Sequence, residues 1–333
     1  MLSDELNKIQ SADELRKALV RTQQSLIKAK FAKDELIAAV YQAAKDAALA
    51  VEPVRVKPPV KDKRISRPEV ALVHLTDWQY GKKTVSYGKE TCAQRIERFI
   101  EKTIHITNIQ RKHHPVKEVY VLLGGDMVEG LGIFPGQVYE VHSHLYEQLF
   151  EVSRIIAQSI TTLAANFEKL HVVCEYGNHG RIGRKGDMPG GDNIDRIAYE
   201  IARERVAHLC ASWQSSSDWY QIVHIGNYRA LLVHGDEVKS FGGNTPAFGI
   251  LRKVNAWASG VIPTFDDCYM GHWHTPMSLT MGNGNRIFVT GSPESHNEYA
   301  REFVAATGKP SQRLHFIDPQ KGRVAAEYVV WLD

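Results

Sequence analysis

Long apolar runs and paired cysteines are both missing from this sequence of 333 residues. No stretch approaches the roughly 18 consecutive apolar residues that a membrane-spanning helix needs, and the first residues lack the apolar core of a secretory signal. We therefore expect a cytoplasmic protein with no membrane partner. The four cysteines are far apart and have no CxxC spacing, which argues against a disulfide framework or a thiolate zinc site.

A strong net charge is missing as well, because 41 Lys and Arg residues oppose 38 Asp and Glu residues and leave +3. The positive charge is concentrated in residues 52–68, which contain six Lys or Arg and two Asp or Glu. Residues 69–333 sum to −2. A mildly acidic body is unusual for an enzyme that processes a polyanion, unless bound cations correct its charge.

The composition that is present, 43% hydrophobic and 24% charged residues, is ordinary for a globular protein of one large or two ordinary domains. Residues 12–50 lack Gly and Pro, which predicts a helical segment over 1–51 that is kinked or folds as a helical hairpin. Its predicted role is docking or formation of a homo-oligomer, with direct contact to DNA as the less favoured alternative. Four prolines indicate an extended basic linker over 52–68, and the main domain is expected at 69–333.

Short β-rich runs alternate with longer helical stretches in the main domain. The first half has a βαβαβ order, typical of buried parallel strands, and the second half opens with a hairpin that turns at Gly226-Asn227. We expect two sheets that pack together and are flanked by helices. The predicted strands lie near 70–76, 118–123, 170–176, 219–225, 228–234, 268–270, 286–290, 313–317 and 325–331, and the predicted helices near 90–112, 138–166 and 193–211.

A cluster of polar residues follows five of the predicted strands. In open α/β sheets, ligands gather at the carboxyl ends of the strands, so these clusters are expected to converge on one site. Residues i and i+2 of an extended segment face the same way, so Asp77 with Gln79, and His272 with His274, can each direct two side chains at one point. The clusters are Thr76-Asp77-Trp78-Gln79, Gly124-Gly125-Asp126-Met127-Val128-Glu129, Gly177-Asn178-His179-Gly180, His234-Gly235-Asp236 and Gly271-His272-Trp273-His274.

The clusters supply carboxylate, imidazole and amide groups without thiolates, a mixture that suits Mn²⁺, Fe²⁺ or Zn²⁺. They offer more ligands than one ion requires. Two ions about 3.5–4 Å apart that share a bridging carboxylate would use all of them, and such a pair clamps a phosphoryl group. The predicted cofactor is two divalent metal ions, with Mn²⁺ favoured and Mg²⁺, Fe²⁺ or Zn²⁺ as alternatives. The candidate ligands are Asp77, Gln79, Asp126, Asn178, His234, His272 and His274.

The five clusters match, in order, the motif set of the calcineurin-like metallophosphoesterases: D-x-H, G-D-x-x-E/D, G-N-H-D/E, an isolated histidine after a strand, and G-H-x-H. The chain resembles this superfamily over about residues 69–295, and its first and last motifs look like those of SbcD-type nucleases and phage-encoded DNA exonuclease homologues. The resemblance implies an α/β fold, a four-layer αββα sandwich of two mixed β-sheets flanked by helices, here preceded by the N-terminal helical segment. It also implies hydrolysis of phosphate esters at a dinuclear metal site.

The resemblance further assigns roles by position. A water that bridges the two ions attacks phosphorus, and His179, which is not a ligand, protonates the leaving oxygen as general acid. Glu129, one helical turn beyond Asp126, orients the ligands, or is an ordinary acidic residue at a helix N-terminus. The first ion would take Asp77, Asp126, His274 and the residue at position 79, and the second would take Asp126, Asn178, His234 and His272.

Two positions depart from the family pattern. Gln79 stands where the family usually has histidine, and because an amide oxygen is a weaker ligand than imidazole, the first ion is expected to bind weakly or to need ample Mn²⁺ or Mg²⁺. Gly180 replaces an acidic residue that often follows the motif histidine. We expect this change to alter the orientation of His179 or to widen the entrance of the site.

The predicted substrate follows from the residues around these motifs. Arg181, Arg184 and Lys185 form a basic, glycine-rich loop directly after His179, a position suited to a phosphate backbone. Trp78 and Lys82 combine an aromatic face with positive charge, as channels for single-stranded nucleic acid do, although core packing competes for Trp78. We therefore predict a Mn²⁺-dependent phosphodiesterase that hydrolyses DNA, in particular an exonuclease.

Two alternatives stay open. The first is a phosphomonoesterase that acts on a phosphoprotein or a nucleotide. The second is a metal-depleted binding scaffold, assembled through residues 1–51, in which Gln79 has cost the first metal ion.

Overall fold

The computed structural model describes residues 54–134, 137–183, 185–186, 189–239, 246–294 and 309–333, together with six positions between 35 and 46. The chain divides into two compact units, Met1–Val51 and Glu52–Asp333. The six described positions of the first unit are helical, and Gln42 Nε2 donates to Asp46 Oδ1 at 2.8 Å, about one helical turn away. The rest of the predicted helical segment, and with it the predicted oligomer contact, lies outside the described residues.

A six-stranded mixed sheet forms one half of the second unit. In spatial order it contains β11 (Arg323–Trp331), β10 (Ser311–Asp318), β1 (Glu69–Leu75), β2 (Val116–Leu123), β3 (Lys169–Cys174) and β4 (Ser212–Ser215). β1 to β4 are parallel, whereas β10 and β11 are antiparallel to their neighbours. β1 is buried at all seven positions, as expected of a central strand that is covered on both faces.

A five-stranded mixed sheet forms the other half. Its spatial order is β5 (Tyr220–Ile225), β6 (Tyr228–Val233), β7 (Asp267–Met270), β9 (Arg286–Val289) and β8 (Met277–Thr280). β6, β7 and β9 are parallel, and the edge strands β5 and β8 are antiparallel to their neighbours. The predicted hairpin is confirmed, because β5 and β6 pair up to Ile225 and Tyr228 and Gly226 supplies the positive φ of 59° that a tight turn needs.

The two sheets pack face to face through the alternating side chains of their strands. Ala230 and Leu232 of β6 point between the sheets, where they meet Leu72 of β1, whereas Leu231 and Val233 point to the opposite face. Burial of apolar side chains on both faces is the main stabilising contribution. It holds the carboxyl ends of β1, β2, β3, β6 and β7 against one another.

Helices cover the outer face of each sheet. α1 (Lys89–Gln110), α2 (Leu145–Ala164) and α3 (Ile194–Val206) contact β11, β3 and β4 of the six-stranded sheet. α4 (Ala247–Ala256), which continues as a π-helical turn over Trp257–Val261, packs against β6, β7 and β9. The predicted fold class, two mixed sheets flanked by helices in an αββα order, is confirmed.

The basic linker follows the surface of the main domain without regular secondary structure. The Asp62 N–H donates to Glu168 Oε1 at 2.8 Å, and the Val54 carbonyl lies 2.7 Å from His208 Nε2. Glu168 and His208 precede β3 and β4, so this linker lies along the amino ends of the strands, opposite to the ends that carry the polar clusters. In the described part of the chain, no helix combines the length and the apolar character that crossing a bilayer requires.

Candidate metal centre

The five strand-end clusters meet at one edge of the two packed sheets. The backbone N–H of His272 donates to the two carboxylate oxygens of Asp77 at 3.0 and 2.9 Å, a contact that joins the sheets across 195 residues of sequence. The backbone N–H of His179 donates to Asp126 Oδ1 at 2.6 Å. The structure therefore brings together the candidate ligands of all five clusters.

Asp126, His234 and His272 form the tightest group. In the described part of the chain, one ligand atom from each of them lies within 4.8 Å of the others. His234 Nε2 lies 3.0 Å from Asp126 Oδ2 and 3.1 Å from Asn178 Oδ1, while its Nδ1 lies 2.8 Å from the Gly124 carbonyl. Asp126 Oδ2 is buried and accepts no hydrogen bond of suitable geometry. Asp126 Oδ2, Asn178 Oδ1 and His234 Nε2 converge at one point, and this combination of oxygen and nitrogen atoms fits a divalent cation.

Burial and neighbouring charges set the ionisation of this group. Burial lowers the pKa of His234, but the carboxylates of Asp126 and Asp77 outweigh it and hold that pKa well above its usual value. Burial raises the pKa of Asp126, and the charges of His234 and His179 reverse the effect and hold it well below its usual value. Burial and the charge of His234 lower the pKa of His272 to about 4. A cation would therefore meet an ionised carboxylate and a neutral imidazole, and would replace the proton on His234.

Asp77, Gln79 and His274 form a looser group. His274 Nε2 lies 3.5 Å from Asp77 Oδ1 and 3.1 Å from Gln79 Nε2. The amide oxygen of Gln79 faces away from this group and accepts from Lys82 Nζ at 3.3 Å. Burial lowers the pKa of His274, and the contacts with Asp77 and Glu294 outweigh it and raise that pKa to about 10, so a cation at this group would have to displace the proton on His274.

The backbone at these residues is left-handed, not extended as the i and i+2 argument assumed. Of the six described non-glycine residues with positive φ, five are candidate ligands, with φ between 43° and 65°. Backbone strain of this kind costs about 1–3 kcal/mol per residue and is concentrated at functional sites. The strained residues are Asp77, Gln79, Asp126, His272 and His274.

Two glycines of the motifs lie where there is no room for a side chain. A Cβ at Gly177 would overlap Asp126 Oδ1, and a Cβ at Gly271 would overlap Asp77 Oδ2. The strand ends can therefore approach the two carboxylates only where the side chain is absent.

His179 lies beside the group around Asp126 and points its Nε2 edge toward it. His179 Nδ1 lies 2.9 Å from the carbonyl oxygen of Glu129 and 3.3 Å from Glu129 Oε2, and Nε2 lies 3.9 Å from Asp126 Oδ2. Burial lowers the pKa of His179, and the charges of Asp126 and Glu129 more than compensate and raise it to about 9. Glu129, which also accepts from Gln137 Nε2 at 3.1 Å, thus orients His179 and keeps it protonated.

Asp195 is a residue of the site that sequence reasoning missed. Its fully buried carboxylate accepts the backbone N–H groups of Asp126, Met127, Val128 and Gly177 at 2.9, 3.1, 3.2 and 3.0 Å. Burial and the charge of Asp126 raise its pKa to about 6. In the sequence, Asp195 is indistinguishable from an ordinary acidic residue in the first turn of a helix. The structure shows that it joins the loops after β2 and β3.

Glu294 is the second missed residue. Its buried carboxylate lies 3.2 Å from Lys82 Nζ and 3.3 Å from His274 Nδ1. Burial raises its pKa, and the contacts with His274 and Lys82 overcome this and lower it to about 2. Burial lowers the pKa of Lys82, and the charges of Glu294 and Glu129 raise it above its usual value. The sequence around Glu294 predicts only a turn, so no pattern indicated this role.

Two of the predicted substrate contacts are unsuited to that role. Trp78 is fully buried, and Lys82 is buried and directed at Glu294 and Gln79. Neither side chain offers a surface to a large substrate, and for Trp78 the alternative of core packing describes its position. The physical reason is that the Trp78 side chain is buried, while those of Asp77 and Gln79 contact residues of the site.

The basic loop after His179 is partly neutralised. Arg181 forms an ion pair with Asp236, and Lys185 Nζ lies 3.4 Å from the same carboxylate. Both cations remain at the mouth of the site. Arg184, the third predicted contact of this loop, lies outside the described residues.

Gly180 does not widen the site, because Asn193 fills the space beside it. A Cβ at Gly180 would overlap Asn193 Oδ1. Asn193 is held on both sides, since its Oδ1 accepts from the Asp195 N–H and its Nδ2 donates to the Gly177 carbonyl, each at 2.8 Å. The orientation of His179 comes from Glu129 instead.

Gly180→Asp is therefore expected to lower the free energy of unfolding by about 2–4 kcal/mol, because the new side chain would overpack the Asn193 helix cap. Urea denaturation measures the loss. Gly282→Asp is the matched control, because Gly282 has open space around it and no positive φ. Equal stability of the two variants would show that the loop moves freely away from Asn193.

No protein-family model matches this sequence, and no curated protein matches it. Among solved structures, Vps29 from Entamoeba histolytica complexed with Zn²⁺ is 14% identical, with 79% of this chain and 99% of that chain covered and a TM-score of 0.34. A predicted phosphoesterase from Streptococcus pneumoniae is 11% identical, with coverage of 78% and 98% and a TM-score of 0.30. A metallophosphoesterase from Sphaerobacter thermophilus is 13% identical, with coverage of 79% and 89% and a TM-score of 0.30. Likeness at this level assigns no function to the chain.

Proposed function

We propose that this protein is a divalent-metal-dependent phosphoesterase that hydrolyses phosphodiester bonds in DNA. The observation that carries the proposal is the convergence of Asp126, Asn178, His234 and His272, in which His234 Nε2 lies 3.0 Å from the buried Asp126 Oδ2 and 3.1 Å from Asn178 Oδ1. The order of the five motifs, which resembles that of calcineurin-like metallophosphoesterases, supports the same class of reaction.

The chain's own residues divide the chemistry between them. A divalent ion bound at this group would polarise a phosphoryl oxygen and lower the pKa of water. Asp126 supplies the negative charge that retains the ion, and the His234 Nδ1 contact with Gly124 at 2.8 Å fixes the orientation of that ring. His179, held by Glu129, presents Nε2 to the site and donates a proton to the leaving oxygen.

DNA is the proposed substrate because aromatic and basic side chains border the site. The Phe134 ring is 42% exposed and lies 5.1 Å from the His179 ring, measured between centroids. The short 3₁₀ helix Gln137–Tyr139 is joined to the site by Gln137, which donates to Glu129, and it carries Tyr139, which is 90% exposed. Nucleobases stack on aromatic faces of this kind, and Arg181 at the site mouth adds positive charge. The basic linker contributes nothing to this argument, because it lies at the opposite ends of the strands.

Incubation of the full chain with end-labelled single- and double-stranded DNA in Mn²⁺, Mg²⁺ or EDTA tests the proposal. Cleavage with Mn²⁺ and none with EDTA is expected, and the product ladder distinguishes exonuclease from endonuclease action. Hydrolysis of p-nitrophenyl phosphate with inert bis-p-nitrophenyl phosphate and inert DNA would establish the phosphomonoesterase alternative. Fewer than two ions per chain at saturating Mn²⁺, together with no hydrolysis, would favour the binding scaffold.

His179→Ala is expected to lower turnover about 10²–10⁴-fold, the usual contribution of a general acid, and to leave the metal content unchanged. Turnover of bis-p-nitrophenyl phosphate and metal analysis measure the two effects. His113→Ala, which removes an exposed histidine near the end of α1, is the matched control and should behave as the wild type. Loss of metal from the His179 variant would make His179 a ligand instead of an acid.

A further inference from the structure

We infer that the basic linker is a nucleic-acid-binding surface separate from the metal centre. It lies along the amino ends of the strands of the six-stranded sheet, whereas the metal centre lies at their carboxyl ends. β1 has seven residues, so at about 3.3 Å per residue the two ends of the sheet are about 20 Å apart. The inference rests on the proposed function only for the choice of nucleic acid as the polyanion, and binding is measured separately from hydrolysis.

The attachment of the basic linker to the main domain is the first observation. Three of its backbone groups contact side chains of that domain. The contacts are Val54 O with His208 Nε2 at 2.7 Å, Asp62 N–H with Glu168 Oε1 at 2.8 Å, and Arg67 O with His114 Nδ1 at 3.1 Å. Pro58 and Pro59 fix the backbone between the first two contacts. The charged side chains of the linker are therefore presented from a surface, and less conformational entropy is lost when they bind than in a free tail.

The balance of charge along the linker is the second observation. Arg64 donates from Nε and Nη2 to the two carboxylate oxygens of Asp62 at 3.0 and 2.6 Å, so this acid is neutralised within the linker. Next to this pair the Glu168 N–H donates to the Lys117 carbonyl at 2.8 Å, and the opposite charges of these two neighbours offset each other. Five further cations of the linker are exposed, and none of them forms an ion pair with a residue that the structure describes. They are Arg55, Lys57, Lys61, Lys63 and Arg67.

An extended cationic segment of this kind fits the phosphate backbone of a nucleic acid. Duplex DNA carries one negative charge per about 1.7 Å of its axis, and Lys and Arg that neutralise phosphates release the counterions condensed on it. An anionic membrane would instead be held by apolar side chains that insert together with the basic ones. The exposed large apolar side chains of the linker are Val60 and Ile65, and no helix places them on one face. The composition and the conformation of the linker therefore favour nucleic acid.

Fluorescence anisotropy of a labelled DNA duplex, titrated with the full chain in EDTA at several NaCl concentrations, tests the inference without hydrolysis. For each phosphate that the wild type contacts, the logarithm of its association constant is expected to fall by about 0.9 per logarithmic unit of salt. The triple variant Arg55→Gln/Lys61→Gln/Lys63→Gln removes three of the unpaired cations. Its salt dependence is expected to be shallower by about 2–3 in slope, and its affinity at about 0.1 M NaCl at least about tenfold lower. An unchanged slope would overturn the inference.

Arg154→Gln/Lys253→Gln/Lys309→Gln is the matched control, because it removes the same three charges from exposed positions on α2, on α4 and before β10. This variant should keep the salt dependence and the affinity of the wild type. Equal losses in the two triple variants would show that DNA responds to the net charge of the protein and would overturn the role of the linker. Thermal melts of each variant confirm that it is folded before DNA is added.

Hydrolysis of bis-p-nitrophenyl phosphate with Mn²⁺ separates the linker from the metal centre. The linker variant is expected to hydrolyse this small diester at the rate of the wild type, and a loss of that activity would show that the two surfaces are not separate. Failure of the wild type to hydrolyse any diester would count against the proposed function and leave the DNA affinity unaffected. Binding of the wild type to phosphatidylserine vesicles, together with no binding to the duplex, would assign the surface to a membrane and overturn the inference.

Discussion

Asp126→Asn is expected to weaken Mn²⁺ binding and to slow phosphodiester hydrolysis, each by at least about 10³-fold, because the variant removes the charge that retains the ion. The wild type should melt at a higher temperature in Mn²⁺, since an ion that binds only the folded state stabilises it by about 2.7 kcal/mol at 100 times its Kd. The variant should show no such rise. Calorimetric titration and melting curves with and without Mn²⁺ measure these effects.

Glu129→Gln is the matched control for this prediction, because it removes a second buried carboxylate from the same site. Glu129 contacts His179 and Gln137 and is not a member of the ligand group. Its loss is expected to weaken Mn²⁺ binding by no more than about 10-fold, because Glu129 contacts His179, which is not a ligand. Equal losses in the two variants would show that Asp126 acts through its electrostatic field and not by ligation.

Asp195→Ala is expected to lower the free energy of unfolding by about 3–5 kcal/mol, because it leaves four buried backbone N–H groups without an acceptor and each costs about 1–3 kcal/mol. Part of that cost is offset, since the variant no longer buries a carboxylate. Mn²⁺ affinity should fall as well, because the loops that present Asp126 and Asn178 lose their common anchor. Urea denaturation and calorimetric titration separate these two effects.

Asp218→Asn is the matched control, because it also removes one negative charge but at an exposed position before β5. It should lower the free energy of unfolding by less than about 0.5 kcal/mol. If Asp195→Ala also cost less than about 1 kcal/mol, water or a shifted loop would have replaced the carboxylate. The importance assigned to Asp195 would then be wrong.

Strands and helices with a strong periodic pattern were predictable from the sequence. The runs near 70–76 and 118–123 correspond to β1 and β2, and the helix near 90–112 corresponds to α1. β4 and β8 were missed because each is an edge strand of only four residues, too short for a periodic pattern to stand out. α4 was missed because it follows a segment rich in glycine and contains Gly249. The helix predicted over 138–166 begins only at Leu145, after the 3₁₀ turn that borders the site.

The candidate ligands were predictable because each stands in a short motif directly after a strand. Asp195 and Glu294 were not, because each acts on residues that are distant in sequence through contacts that leave no local pattern. The prediction for Lys82 failed for the same reason. A lysine near an aromatic residue is typical of a nucleic-acid surface, and only the packing of Glu294 shows that this one is buried.

The sequence by itself determined the α/β class, the order of the strands and the residue types available for a metal site, because periodicity and strand-end motifs are local properties. Tertiary structure alone decided which of those groups face one another and which contacts they make. Gln79 is the clearest example. The sequence establishes only that an amide stands at position 79, and the structure shows that this amide lies between Lys82 Nζ, at 3.3 Å, and His274 Nε2, at 3.1 Å. That position depends on buried charges brought together from the segment after β1 and from the loop after β9, which no sequence pattern records.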